Sequence, residues 1–181
     1  MLIRNADPER DAAACAAVYA PSVAGSAASF EDVPPDGPEF ARRIVAISTR
    51  YPWLVAEEDG QVMGFAYASE HRERAAYRWA AESAVYVVEA HRGRGVGKRL
   101  YAVLFDLLAR QGIRTVCAGI TLPNPASVAL HESCGFEPVG IYRRIGYKLG
   151  RWHDVGWWEL ELAAGAGGPP REPGPPVRLE P

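Results

Sequence analysis

Val85-Tyr86-Val87-Val88-Glu89-Ala90-His91-Arg92-Gly93-Arg94-Gly95-Val96-Gly97-Lys98-Arg99-Leu100 is the stretch whose reading decides the fold. A β-branched run stops at polar residues and a basic, glycine-rich turn follows. Apolar residues then recur at Val96, Leu100, Val103, Leu104, Leu107 and Leu108. That order predicts a strand, a tight loop and an amphipathic helix. The three glycines let the loop backbone approach a ligand closely and adopt dihedrals closed to other residues. A helix start presents free N–H groups and the positive end of its dipole, which favour an anion. Arg92, Arg94, Lys98 and Arg99 add charge of the matching sign, so the stretch reads as a phosphate cradle. The plain alternative is a glycine-loosened turn with solvated arginines. The spacing is not that of a P-loop, because Lys98 is not followed by Ser or Thr. Nor does it fit G-x-G-x-x-G with an acidic ribose partner.

Bulk properties narrow the field. At 181 residues with 48% hydrophobic residues the chain suits one domain with a sizeable core. A formal net charge of -2 gives no general affinity for nucleic acid or an anionic membrane. No apolar run approaches the ~20 residues of a membrane span, and Met1-Leu-Ile-Arg-Asn-Ala-Asp7 lacks a signal-peptide pattern. Cys15, Cys117 and Cys134 have no metal spacing and lie in apolar stretches, as small core residues do in a reducing cytoplasm. His71, His91 and His153 are scattered, so no metal is expected.

Outward from the cradle, the local signals come in order. Leu2-Ile3 begins an edge strand. Asp7-Pro8 caps a helix running to about Tyr19, and the Ser/Ala/Pro-rich segment Pro21 to Gly37 reads as irregular. A second helix follows Pro38, with Phe40, Ile44 and Ile47 on one stripe. Asp59-Gly60 marks a hairpin. Arg72, Arg74 and Arg78 crowd a loop before Glu82 opens the central strand. Gly112 suits a left-handed C-cap, Thr115–Thr121 a strand, and Asn124-Pro125 a helix start closed by Gly135. Phe136–Ile145 and Val155–Leu162 read as the last two strands. The connection from the central strand to Thr115 should be a parallel, right-handed crossover. Residues 1–163 form the expected domain. Residues 164–181, rich in Gly and Pro, read as a flexible tail that buries no apolar area and has no catalytic part.

Arg92-x-x-Gly95-x-Gly97 after a strand resembles the acetyl-CoA pyrophosphate loop of the GNAT superfamily of N-acetyltransferases. The likeness extends to its phosphinothricin and methionine sulfoximine acetyltransferase branch. It is carried by Arg50-Tyr-Pro-Trp-Leu-Val-Ala-Glu57, Glu82-Ser-Ala-Val-Tyr-Val87, Leu122-Pro-Asn124 with His131-Glu132, and Gly146-Tyr-Lys148 with Trp152-His-Asp-Val-Gly156. The resemblance implies an α/β (α+β mixed) GNAT fold: a central, mixed, mostly antiparallel twisted sheet of about six to seven strands with about four helices. In that family the central strand carries a bulge and diverges from the next strand. Acetyl-CoA is then the co-substrate, and no metal is needed. The main chain at Val85, Tyr86 and Val87 would meet pantetheine. Arg92, Gly93, Arg94, Gly95, Val96, Gly97 and Lys98 would hold the diphosphate.

By the same resemblance Glu82 is the general base and His131 assists proton transfer. From the residues alone, Glu82 reads equally as a strand-end partner of Arg74 or Arg78. Asn124 reads as helix cap and as amide contact to the cofactor arm, with Ser127 near it. Phe30, Arg72, Arg74, Tyr77, Glu82 and Tyr86 match acceptor-site positions, though Phe30 alone reads as either a loop anchor or a pocket wall. Ala84 stands where the family usually has Thr, removing a possible substrate hydrogen bond. The implied acceptor is a small amino acid analogue, acetylated directly in a ternary complex. The implied assembly is a cytoplasmic homodimer. Acetylation of another amine, such as a protein N-terminus, or non-catalytic acyl-CoA binding are the competing readings.

Overall fold

A computed structural model describes residues 1–162 and 170–180. In chain order the elements are β1 (Leu2–Asn5), α1 (Pro8–Ala24), α2 (Gly37–Ser48), β2 (Trp53–Glu58), β3 (Gln61–Glu70), β4 (Ala80–Val87), α3 (Val96–Gln111), β5 (Thr115–Leu122), α4 (Pro125–Ser133), β6 (Glu137–Lys148) and β7 (Arg151–Glu161). Short 3-10 turns cover Ala75–Tyr77 and Glu89–His91. The strands form one sheet in the order β1-β2-β3-β4-β5-β7-β6. β4 and β5 run parallel and every other neighbouring pair is antiparallel.

Local chemistry sets most boundaries. Asp7 Oδ1 accepts from the N–H groups of Glu9 and Arg10, and Asp36 caps α2 through the N–H of Glu39. Asp59 and Gly60 both take positive φ (52° and 79°), the signature of a tight hairpin turn between β2 and β3. Gly112 closes α3 at φ 103°. Two boundaries differ from the sequence reading. α1 continues through Pro21 to Ala24, because Val18, Tyr19, Ser22 and Val23 are all buried and their packing outweighs one lost helical hydrogen bond. The last two strands extend to a hairpin turn at Leu149-Gly150, which the sequence reading left between them.

Two cores lie on opposite faces of the sheet. α1 and α2 bury Cys15, Val23, Phe40 and Ile44 against Trp53, Val55 and Phe65. On the other face α3 buries Leu100, Tyr101, Leu104, Leu107 and Leu108 against Leu54, Ala66, Ala81 and Val116. Full burial of one such leucine contributes about 2 kcal/mol from apolar area alone. Asp11 is buried and bidentate to Arg4 (2.6 and 2.7 Å), which also bonds Glu57, tying α1 to β1 and β2. Burial pushes the Asp11 carboxyl up, but hydrogen bonds from Arg4 and the Asp7 N–H more than offset it and leave it below the ordinary range.

The C-terminal segment corrects one expectation. Residues 170–180 lie along the body instead of standing free: Gly174 and Gln111 exchange backbone and side-chain bonds, and Asn5 bonds both N–H and C=O of Leu179. Val177 and Leu179 pack against the α3-side core. Those two apolar residues, spaced as one strand face, supply the burial that the Gly/Pro composition conceals. Residues 164–169 and 181 of the expected tail, and residue 163 of the expected domain, fall outside the described residues.

Candidate active site

The cradle forms where β4 hands the chain to α3. Gly93 and Gly95 adopt left-handed φ (73° and 79°), and a Cβ built on either meets nothing within 4 Å. Conformation, not crowding, therefore requires glycine at both positions. Gly95 is the N-cap of α3 and has no side chain with which to cap it; the first helical bond runs from Arg99 N–H to Gly95 O. The N–H groups of Val96, Gly97 and Lys98 thus begin the helix without a capping acceptor, aligned with the positive end of its dipole. Arg92 Nε donates to Val87 O (3.2 Å), which fixes the loop on the strand end. Among the described residues, no carboxylate pairs with Arg92, Arg94, Lys98 or Arg99. A positive site left un-neutralised by its own protein is one suited to an anionic ligand.

From the cradle a cleft of about 1060 Å³ runs into the sheet. β4 pairs with β5 over only three residues, Ala80 to Glu82 against Thr115 to Cys117, and the two strands then part. β5 follows β7 for its full length while β4 stays on β3. The edge of β4 from Ser83 to Val87 that faces β5 is left without a strand partner, so its main-chain groups are available to an amide-bearing chain. The family-type bulge in β4 is not found: the β3–β4 register runs unshifted from Ala81 to Val87, and the register shift lies at Ala56/Glu57 between β2 and β3. The parting of β5 alone opens the sheet.

Val85, Tyr86, Val87, Arg92, Gly93, Gly95, Val96, Gly97, Lys98, Asn124, Ser127 and His131 all line this cleft. Asn124 also caps α4, its Oδ1 accepting from Ser127 N–H. Arg94, Phe30, Arg72, Arg74, Tyr77 and Glu82 do not line it. Arg94 turns to His91. Phe30 lies against Gly146, where a Cβ would overlap its ring. The lining stops one residue short of Glu82, at Ser83 and Ala84. Neither arginine named as a partner of Glu82 is its partner. Instead Glu82 Oε1 lies 2.9 Å from His71 Nδ1 and 3.7 Å from Arg72 Nη1, while Arg78 bonds Glu172 and stacks over Trp79. The reason is the β3–β4 ladder: Ser69 faces Glu82, so the chain leaving β3 delivers residues 71 and 72 beside it.

Three contributions escape a sequence reading. Tyr101 on α3 reaches the cleft, and its hydroxyl meets His131 Nε2 at 3.0 Å. His131 Nδ1 faces the Ser127 carbonyl at 2.8 Å and so must carry the proton there, leaving Nε2 to accept from Tyr101. Burial lowers the His131 pKa and pushes that of Tyr101 far up, so both rings are neutral at pH 7. Lys148 is buried and donates to Val23 O and Ser29 O (both 2.6 Å). It clamps the loop after α1, whose Gly25 to Ala28 close one side of the cleft, to the β6–β7 hairpin. Leu149, Arg151 and His153 of that hairpin region complete the wall. The signal for Lys148 in sequence is only its place just before the turn at Leu149-Gly150.

An anion cradle feeding a cleft between two parting parallel strands defines a protein that holds a long, phosphate-bearing ligand in extended form. Residues 3–157 match the family described as acetyltransferase (GNAT) domain. The chain belongs to the GNAT acetyltransferase family. It is 43% identical to a phosphinothricin N-acetyltransferase of Streptomyces viridochromogenes over 153 residues, 84% of this chain and 80% of that one. It is 36% identical to an L-methionine sulfoximine/L-methionine sulfone acetyltransferase of Salmonella typhimurium, over 90% of this chain and 95% of that one. A phosphinothricin acetyltransferase from Sinorhizobium meliloti, solved in complex with acetyl-CoA, superposes with TM-score 0.89 at 36% identity, covering 94% of this chain and 93% of that one. Among the described residues there is no group of three or more His, Cys, Asp or Glu that could hold a metal ion.

Proposed function

We propose that this chain transfers an acetyl group from acetyl-CoA to the α-amine of a small amino acid analogue of the phosphinothricin or methionine sulfoximine/sulfone type. The observation that carries the reading is the uncapped start of α3, flanked by Arg92 and Lys98, which pair with no carboxylate among the described residues, and opening directly into the β4–β5 cleft. The cradle N–H groups from Gly93 to Lys98 would hold the diphosphate, and the free edge of β4 at Val85 to Val87 the pantetheine amides. Bound there, acetyl-CoA supplies a thioester acetyl group. Holding it beside the acceptor removes the entropy of encounter, worth several kcal/mol.

Glu82 takes a proton from the incoming ammonium, so that the amine presents a lone pair. Transfer is direct, in a ternary complex: the amine nitrogen bonds to the acetyl carbon, the carbon–sulfur bond breaks, and its electron pair leaves with the coenzyme thiolate, which takes up a proton on release as the free thiol. Burial pushes the thiol of Cys117 up to about 11 and that of Cys15 up to about 12, so neither is a thiolate nucleophile at neutral pH. His131, neutral and bonded at both nitrogens, assists by aiming the Tyr101 hydroxyl. Arg72, Arg74, Tyr77 and Tyr86, with Phe30 at the hairpin, frame the acceptor side, and Ala84 leaves room where a hydroxyl would bond. Acetylation removes the α-ammonium charge of a toxic analogue, which fits a resistance role in the cytoplasm. A homodimer is supported by the apolar side chains that β6 and β7 leave exposed, among them Val139, Ile141, Ile145, Tyr147 and Trp152.

The test is an acceptor panel read by release of free coenzyme thiol: phosphinothricin, methionine sulfoximine and methionine sulfone against peptides with free N-termini and polyamines. At least about tenfold higher kcat/KM for the amino acid analogues is expected, the scale of a few well-placed polar contacts. Preference for peptides overturns the acceptor assignment. Tight coenzyme binding with no thiol release for any amine marks a binding module instead.

A further inference from the structure

His71 lies outside every role assigned above, yet it makes the shortest side-chain contact to Glu82. Its Nδ1 is 2.9 Å from Glu82 Oε1, and a contact of that length between a ring nitrogen and a carboxylate oxygen needs a proton between them. The imidazole is held on two sides. The ring of Tyr77 meets it edge-on at 5.9 Å and that of Trp157 at 6.1 Å, which leaves the His71 side chain 15% exposed. Glu82 sits where β4 and β5 make their last pair, at the head of the cleft.

We propose that His71 is the positioning residue of the base, orienting the Glu82 carboxylate. The inference rests on the reading of Glu82 as the base. With one proton, on Nδ1, the neutral imidazole donates to Oε1 and fixes the carboxylate, leaving Oε2 to receive the substrate's proton. In that step an N–H bond of the ammonium breaks, its electron pair stays on nitrogen, and an O–H bond forms at Oε2. Arg72 Nη1 stands 3.7 Å from the same oxygen, so both contacts fall on Oε1.

The test compares kcat and KM at pH 8, with both substrates varied, in the parent, His71→Asn and His71→Ala. Asparagine places an amide N–H near the position of Nδ1 and so serves as the conservative rescue of the alanine variant. The expected result is that His71→Asn keeps kcat within about threefold of the parent. His71→Ala should lose about tenfold in kcat with the KM for acetyl-CoA unchanged, which shows that it is folded. A His71→Ala variant as fast as the parent, or a His71→Asn variant as slow as His71→Ala, overturns the positioning role while leaving Glu82 as base. The two failures separate cleanly, because an active Glu82→Gln variant overturns the base and its positioning together.

Discussion

Glu82→Gln should lower kcat about 10³-fold at pH 7 and leave the KM for acetyl-CoA within about twofold. Glutamine keeps the size of the side chain and still accepts from His71, so the strand end and the His71 contact survive. What disappears is the ability to take a proton, and positioned bases contribute about 10² to 10⁴ in rate. The position explains why the coenzyme is spared: Glu82 lies just beyond the cleft lining, which ends at Ser83 and Ala84. A second signature separates loss of a base from misfolding. The α-ammonium of a free amino acid, beside its own carboxylate, is a weaker acid than a peptide N-terminus at about 8, so it is mostly protonated at pH 7 and the variant should regain at least about tenfold on going to pH 9, as the substrate deprotonates itself. The parent should change little over that range. Steady-state rates at the two pH values check both points, and a variant as fast as the parent at pH 7 removes Glu82 from the chemistry.

The second large effect concerns Gly95. Asn and Asp tolerate left-handed backbone better than other residues with side chains, and they are the same shape. Gly95→Asn and Gly95→Asp should therefore share whatever strain and crowding a side chain brings at φ 79°. They differ by one negative charge in the middle of the cradle. Two unit charges about 4 Å apart repel by about 4 kcal/mol at an effective dielectric of 20, and solvent around an exposed loop reduces that. The Asp variant should bind coenzyme A about 100-fold more weakly than the Asn variant, with the gap narrowing at high salt. Calorimetric titration of both variants at low and high salt measures it. Equal affinities would mean that the diphosphate lies elsewhere.

These two residues also mark the limits of reading the chain from its sequence. The cradle was legible because its causes are local: a β-branched run, glycines that must turn left, and a helix starting without a side-chain cap. The caps at Asp7 and Asn124 and the turns at Asp59-Gly60 and Gly112 follow from equally short-range chemistry. What depends on the sheet was not legible. The partner of Glu82 is decided by the β3–β4 register, which brings residue 71 to residue 82 and sends Arg78 to the C-terminal segment. The hydroxyl of Tyr101 finds His131 thirty residues later, and Lys148 is buried against a loop more than a hundred residues before it. Pro21 reads as a helix breaker, yet burial of Ser22 and Val23 carries α1 past it. Val177 and Leu179 hide in a Gly/Pro-rich segment until a groove on the body receives them.

The central claim is that the backbone from Gly93 to Lys98 grips the coenzyme diphosphate and aims the acyl end along the free edge of β4. A crystal structure of the protein with coenzyme A bound tests it most directly. The expected result is diphosphate oxygens within about 3 Å of N–H groups between Gly93 and Lys98, with the pantetheine arm between β4 and β5. A diphosphate held by another part of the chain, with that turn making no contact to it, would contradict the claim.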